Sequence, residues 1–307
     1  MKSGNLSLQR GRQAARPKTS WRSNVPAPVK RIVHIGSRTY GRLTAERRVL
    51  PSFLLSGGQR CGTTSLYRAL SQHPAVCKPV LHKGVHYFDV NYDRGPHWYR
   101  AHFPSYRQVD RVFEEVGVPA QAFESSPYYL YHPHAAARIA ADLPGAKLIV
   151  LVRDPVERAA SQHAHEVARG FEWEPSFERA LLLEASRLQG VPERMLSDPY
   201  HYSFAHQHHA YLDRGAYADH LDRLAAEVGR ERILVVDSER FFADPEPVFD
   251  EVIDFLGLPR MGYPLFDRHN ARSRQPMDPE LRERLTAHFA PYDARLRQWL
   301  GRDPSWR

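Results

Sequence analysis

The residues best suited to chemistry are Gly57-Gly58-Gln59-Arg60-Cys61-Gly62-Thr63-Thr64-Ser65. Glycines let the backbone curl until successive N–H groups face one centre, the arrangement that holds an anion. The hydroxyls of Thr63, Thr64 and Ser65 add donors, and Arg60 adds a charge that can fork onto two oxygens. A plain glycine turn is the simpler alternative; the coincidence of nest, hydroxyls and cation favours phosphate. The spacing approaches G-x-x-x-x-G-K-[ST], with Thr63 where the lysine belongs. Nucleoside triphosphatases use that lysine on the β- and γ-phosphates, so its loss argues against ordinary ATP chemistry. A second set, His86 and Asp89 with Glu124 further on, offers proton transfer: a neutral imidazole works near pH 7, and a carboxylate can orient it.

The elements that position these groups follow from the apolar pattern. Phe53-Leu54-Leu55-Ser56 is a short buried-strand run ending in Gly57-Gly58, and a helix follows from Thr64, with Leu66 and Leu70 on one face and Pro74 beyond its end. Ala146–Val152 reads as a strand buried on both faces. Asp154 then caps a helix, Pro155 takes its first turn and Glu157 sits at the capping-box position; the helix runs through Ala159 and His163 toward Gly170. Ile233–Asp237 is a third strand, followed by a helix from about Pro247 to Leu256 closed by Gly257. Ala122–Glu124 and Ala75–Cys77 are weaker strands, and Glu280–Leu300 is a helix broken near Pro291. Alternating strands and helices predict an α/β fold: a central, mostly parallel sheet between two helical layers. Arg153 then lies at the carboxyl edge of the sheet, where such folds bind ligands, and Ser161 lies two turns along the next helix.

The 307 residues suit one α/β domain with an extra segment. Residues Met1 to Arg48 hold twelve Lys or Arg against one acid, Glu46, which reads as a disordered basic tail with a short strand at Arg31–Ile35; a tether to an anionic surface and an organelle transit peptide are the alternatives. Two cysteines, Cys61 and Cys77, make no disulfide framework, and no apolar run reaches the roughly 18 residues that span a membrane, so a cytoplasmic location is expected. The cluster His206-Gln207-His208-His209 lacks a third ligand at metal-binding spacing, so no metal site is expected. Trp98 and Tyr99 read as packing residues, with sugar stacking as the alternative. No nucleic-acid-binding pattern is present.

With these residues in view, the chain resembles the PAPS-dependent sulfotransferases. Gly57–Ser65 resembles their 5′-phosphosulfate loop, and Leu151–Ser161 their 3′-phosphate motif. Lys83–Phe88, His97–Tyr99, Phe123–Tyr128, Gly215–Tyr217 and Arg272–Arg274 are also similar, most nearly to the heparan sulfate N- and 3-O-sulfotransferases and their bacterial relatives. The resemblance implies a domain over 49–307 with the fold of the P-loop nucleotide kinases and no metal requirement. It further implies transfer of a sulfuryl group from PAPS to a hydroxyl or amine on a glycan or small metabolite. Arg60 would take the place of the family's loop lysine. The donor would be held by Gly58, Gln59, Cys61, Gly62, Thr63, Thr64 and Ser65, by Arg153 and Ser161 at the 3′-phosphate, and by Tyr217, Arg272, Ser273 and Arg274.

One position departs from that pattern. The resembling enzymes carry a catalytic glutamate in K-E-x-H-F-F-D, and this chain reads Lys83-Gly84-Val85-His86-Tyr87-Phe88-Asp89. Ser125 likewise stands where they carry lysine. The general base is therefore expected to be His86 oriented by Asp89, with Glu124, His82 or a group on the substrate as alternatives. Two further functions stay open on sequence: a P-loop phosphotransferase using Asp237 for magnesium, and a non-catalytic module binding polyanions.

Overall fold

The computed structural model describes residues 41–80, 82–267 and 277–307. Five strands form one parallel sheet: β1 (Phe53–Gly57), β2 (Val76–Cys77), β3 (Gln121–Glu124), β4 (Lys147–Val152) and β5 (Ile233–Asp237), in the order β2-β3-β1-β4-β5. Every residue of β1 and all but the first of β4 are buried, which requires cover on both faces and explains their continuous apolar runs. The helices that position the site are α1 (Thr63–Leu70), α2 (Pro155–Ala168), α3 (Tyr217–Val228), α4 (Ser238–Ala243), α5 (Pro245–Leu256) and α6 (Pro279–Leu300). Leu66, Leu70, Leu221, Val252 and Leu296 pack with the strands in one core.

The strand order decides where the site lies. After β1 the chain crosses toward β2 and β3; after β4 it crosses the other way to β5. The connections diverge between β1 and β4, opening a crevice at their carboxyl ends. Gly57 is registered against Leu151, so the loop after β1 and Arg153 after β4 face the same crevice.

Three boundaries differ from the sequence reading. Residues 41–48 belong to the packed domain rather than to a tail: Ala45 is buried and Arg48 donates to the Phe103 carbonyl at 2.6 Å. α6 runs unbroken through Pro291. Leu281, Leu285 and Phe289 before the proline and Leu296 after it are buried, and this packing outweighs the roughly 3 kcal/mol cost of a mid-helix proline. An added helix, α4, follows β5 directly because Asp237 caps it, accepting from the Glu239 and Arg240 amides at 3.0 and 3.2 Å. Asp237 is buried and also takes the Ser305 amide, so it is committed as a cap instead of facing the crevice as a magnesium ligand. The Arg31–Ile35 strand and Arg272, Ser273 and Arg274 lie outside the described residues.

Candidate active site

The loop after β1 is set by local geometry. Gly58 N–H donates to the Leu151 carbonyl at 2.9 Å, tying the loop to β4, and Cys61 N–H closes a turn onto the Gly58 carbonyl at 3.1 Å. Gly62 takes φ of +81° to start α1, and a Cβ there would meet the Phe242 ring at 2.8 Å. From below, the Ser238 hydroxyl donates to the Cys61 carbonyl at 2.5 Å.

Two cations converge on this loop. Arg60 Nε donates to Ser161 Oγ on α2 at 3.1 Å, joining the loop to the helix behind β4. Lys83 Nζ donates to Thr63 Oγ1 at 3.2 Å and Thr64 Oγ1 at 3.1 Å, so a lysine twenty residues downstream occupies the loop that lacks one of its own. Burial, and then Arg68 nearby, lower the Lys83 pKa to about 7. Its described partners are hydroxyls rather than a carboxylate, so an arriving phosphate or sulfate would restore its charge. Arg153 pairs with Glu239 at 3.2 Å, at the start of α4.

The second part of the site is the segment Lys83–Asp89. His86 Nδ1 lies 2.7 Å from Asp89 Oδ2, and its backbone N–H donates to Ser126 Oγ at 3.0 Å. The His86 side chain is 38% exposed, whereas that of Asp89 is fully covered. Burial of the ring disfavours its charge, but the Asp89 carboxylate prevails and raises the pKa to about 9. With Nδ1 directed to Asp89, Nε2 is left for proton exchange. Among the described residues, Arg60 (φ 75°) and His86 (φ 55°) are the non-glycine residues with positive φ. This conformation is costly for a side chain and clusters at functional sites.

A family model described as a sulfotransferase domain matches residues 50–284. The chain belongs to the sulfotransferase family. This sulfotransferase is 30% identical over 285 residues to heparan sulfate glucosamine 3-O-sulfotransferase 6 of Homo sapiens, covering 85% of this chain and 75% of that one. It is 26% identical over 322 residues to the membrane-associated sulfotransferase kil1 of Dictyostelium discoideum, covering 84% of this chain and 67% of the relative. Its match to bifunctional heparan sulfate N-deacetylase/N-sulfotransferase 4 of Mus musculus covers 84% of this chain but 31% of the relative's length. The crystal structure of a sulfotransferase from Alicyclobacillus acidocaldarius superposes with a TM-score of 0.61 at 31% identity, covering 84% of this chain and 98% of that one. Among the described residues, no helix is long and apolar enough to cross a membrane.

Of the residues expected from sequence, the structure gathers Arg60, Ser161, Thr63 and Thr64 in one place and pairs His86 with Asp89. Three residues take other positions. Glu124 is 0% exposed, with Oε1 accepting from Tyr99 at 3.3 Å and Tyr129 at 2.6 Å, and Oε2 from Val85 N–H at 3.0 Å and Ser126 at 2.6 Å. Burial pushes its pKa up and these donors oppose the shift; its oxygens are taken by Val85 of the Lys83–Asp89 segment and by Tyr99, Ser126 and Tyr129, so it is held inside the core. Tyr217 is 1% exposed and lies beneath the loop, its hydroxyl 3.5 Å from Cys61 Sγ, so it props the loop instead of touching a donor. The Cys61 thiol faces the same interior, and burial raises its pKa to about 11. Tyr99 stacks on Tyr87 with centroids 4.5 Å apart, a packing contact.

Lys83 is the side chain at this loop that sequence reasoning did not single out. The available signal was a basic residue opening the segment that ends in His86 and Asp89. Gln59, the loop residue before Arg60, is held from both sides: it donates to Glu166 at 2.7 Å and accepts from Arg214 at 2.6 Å. The clustered histidines go to separate partners, His206 to Tyr128, His208 to Glu166 and His209 to the Phe171 carbonyl.

Proposed function

We propose that the protein transfers a sulfuryl group from PAPS to a hydroxyl or amine of a small acceptor. The observation that carries this reading is the convergence of Lys83 on the loop hydroxyls while Arg60 reaches Ser161, which sets two cations at the crevice between β1 and β4. The donor set fits a phosphosulfate: hydroxyls and glycine-loop backbone at the start of α1, with cations as neighbours. When bound, PAPS supplies the sulfuryl group and departs as 3′-phosphoadenosine 5′-phosphate (PAP). Thr63, Thr64 and Ser65 hold its 5′ end, and Ser161 with Arg153 holds the 3′-phosphate. Arg60 and Lys83 stabilise the negative charge that builds on the departing phosphate oxygen. His86 Nε2 takes the acceptor's proton as its oxygen or nitrogen bonds to sulfur, and Asp89 holds the ring for that transfer. Gly84 removes the glutamate expected from relatives, and the His86–Asp89 pair takes over its work. A cytoplasmic location belongs to this reading, as does a domain that works on small or glycan acceptors.

Calorimetric titration with PAP and with ATP tests the donor assignment. PAP should bind at least about tenfold more tightly than ATP, because the loop lacks the lysine spacing that triphosphates use. Absence of heat with PAP, or tighter binding of ATP, would overturn it; the second result would favour a phosphotransferase.

A further inference from the structure

The loop after β1 turns its corner in a form that its own residues disfavour. Cys61 N–H reaches the Gly58 carbonyl at 3.1 Å, which makes Gly58-Gln59-Arg60-Cys61 a hydrogen-bonded four-residue turn. Gln59 does not take a positive φ, whereas Arg60, the third residue, has φ of 75°. That combination marks a type II turn, whose third position favours glycine because φ must be positive there. An arginine would sit without strain in a type I turn. The two forms differ by a flip of the peptide between the second and third residues, roughly half a revolution. The flip would carry the Arg60 N–H to the other face of the turn and re-aim its side chain.

The corner cannot yield as a whole. A Cβ on Gly58 would meet Cys61 Sγ at 2.6 Å and Tyr217 Cε1 at 3.1 Å, so that flank is packed. Freedom is left in the central peptide, and Gln59 carries the side chain beside it. Its amide donates to Glu166 Oε1 at 2.7 Å and accepts from Arg214 Nη1 at 2.6 Å. Both partners are fixed. The Glu166 side chain is 0% exposed and its other oxygen lies 3.1 Å from His208 Nδ1. Arg214 is 4% exposed, lies over the Tyr128 and Tyr131 rings at 4.8 and 4.9 Å, and donates to the His206 and Gln207 carbonyls at 3.2 and 2.6 Å. A carboxylate on one side and a guanidinium on the other leave the amide one polarity and one orientation. Both charges are buried, and each would lose a partner if the amide turned away. The bond from Arg60 Nε to Ser161 Oγ at 3.1 Å restrains the turn less, because it acts through a long flexible side chain.

We propose that Gln59 is a positioning residue: the Glu166–Gln59–Arg214 clamp holds the turn in its type II form and thereby sets Arg60 at the crevice. What Arg60 does there rests on the sulfuryl-transfer reading, whereas the conformation of the turn is set without a ligand. Gln59 then works through the backbone of the loop and not through a contact of its amide with the donor, which is the role that the resemblance gives it.

Two measurements on the full chain test this. Crystal structures read the turn directly. Gln59→Leu should show Arg60 at negative φ. Gln59→Glu should do the same, because its carboxylate meets that of Glu166. In Gln59→Glu/Glu166→Gln the amide and the carboxylate change places, both bonds can re-form, and Arg60 should return to positive φ. Calorimetric titration with PAP reads the consequence. Gln59→Leu should weaken PAP binding at least about tenfold in the wild-type background and less than about twofold in Arg60→Gly, where glycine takes positive φ without strain and no side chain is left to aim. A merely structural role would cost the same in both backgrounds. Arg60 kept at positive φ in Gln59→Leu or Gln59→Glu, no return of positive φ in the swapped pair, or equal losses of PAP affinity in the two backgrounds would overturn the clamp and leave the donor assignment standing. Should Gln59→Leu fail to fold, the φ of Arg60 in Gln59→Glu and in the swapped pair decides. Wild-type protein that binds no PAP would remove the donor assignment, and the crystal structures alone would then decide the turn.

Discussion

Replacing Asp89 with asparagine removes the charge that sets the His86 titration while keeping the shape of the side chain. The magnitude follows from the 2.7 Å contact. Two unit charges with centres near 4 Å attract by about 4 kcal/mol at an effective dielectric constant of about 20, which corresponds to roughly 3 pKa units. The His86 ring is 38% exposed, so water screens about half of this and leaves a shift of roughly 1–2 units. His86 in the wild type titrates at about 9. At pH 7.5 such a group is only about 3% neutral, so turnover should climb nearly tenfold per pH unit up to that limb. In Asp89→Asn the limb should fall to about 7–8. The variant loses ring orientation, so its plateau is lower, but its deficit is smaller at pH 6.5 than at pH 9.5. The assay is kcat against pH from 6 to 10 with both substrates saturating. Parallel profiles, with the limb unmoved, would refute the claim that Asp89 controls the base. The same raised pKa has a stability consequence of fixed sign. The pair contributes fully below the unfolded value of 6.5 and loses that contribution as pH rises through about 9, so the difference in Tm between wild type and Asp89→Asn should narrow over that interval.

Two other perturbations follow. Lys83→Gln should weaken PAP binding at least about tenfold; because burial lowers Lys83 to about 7, wild-type affinity should fall as pH rises past 7 and the variant should lose that dependence, and a pH-dependence retained in the variant would place the titrating group elsewhere. Gly84→Glu should not supply the missing base: a Cβ there would lie 2.6 Å from the Ser125 carbonyl oxygen and 3.1 Å from Ser126 Oγ, so the chain must shift, with a cost of about 1–3 kcal/mol in denaturant unfolding and a loss of turnover, and a gain in turnover would show that the segment yields.

Much of the crevice between β1 and β4 was legible because its residues are contiguous in sequence. The loop Gly57–Ser65 follows its strand directly, and the Asp154 cap with Pro155 announces α2 within a few residues of Arg153. Local backbone chemistry suffices for such units, since each hydrogen bond and turn joins near neighbours. Ser161 could also be placed, because helical spacing from a known cap fixes its position.

What the sequence left open was everything set by distant contacts. It offered His86 as the base with Glu124 among the alternatives; only the packed interior shows Glu124 sealed under Tyr99 and Tyr129 and His86 partly exposed, a distinction of burial and not of residue type. It gave Tyr217 a ligand role, whereas the sheet order carries α3 beneath the loop and puts the hydroxyl on Cys61, 156 residues away. Lys83 went unassigned because its contact with Thr63 and Thr64 exists only once β3 pairs with β1 and brings the 83–89 segment over the crevice. Residue types and spacing determined which groups could bind an anion or move a proton. The tertiary fold decided which of them share a dielectric, a partner and a line of approach, because those depend on distances that local sequence does not encode.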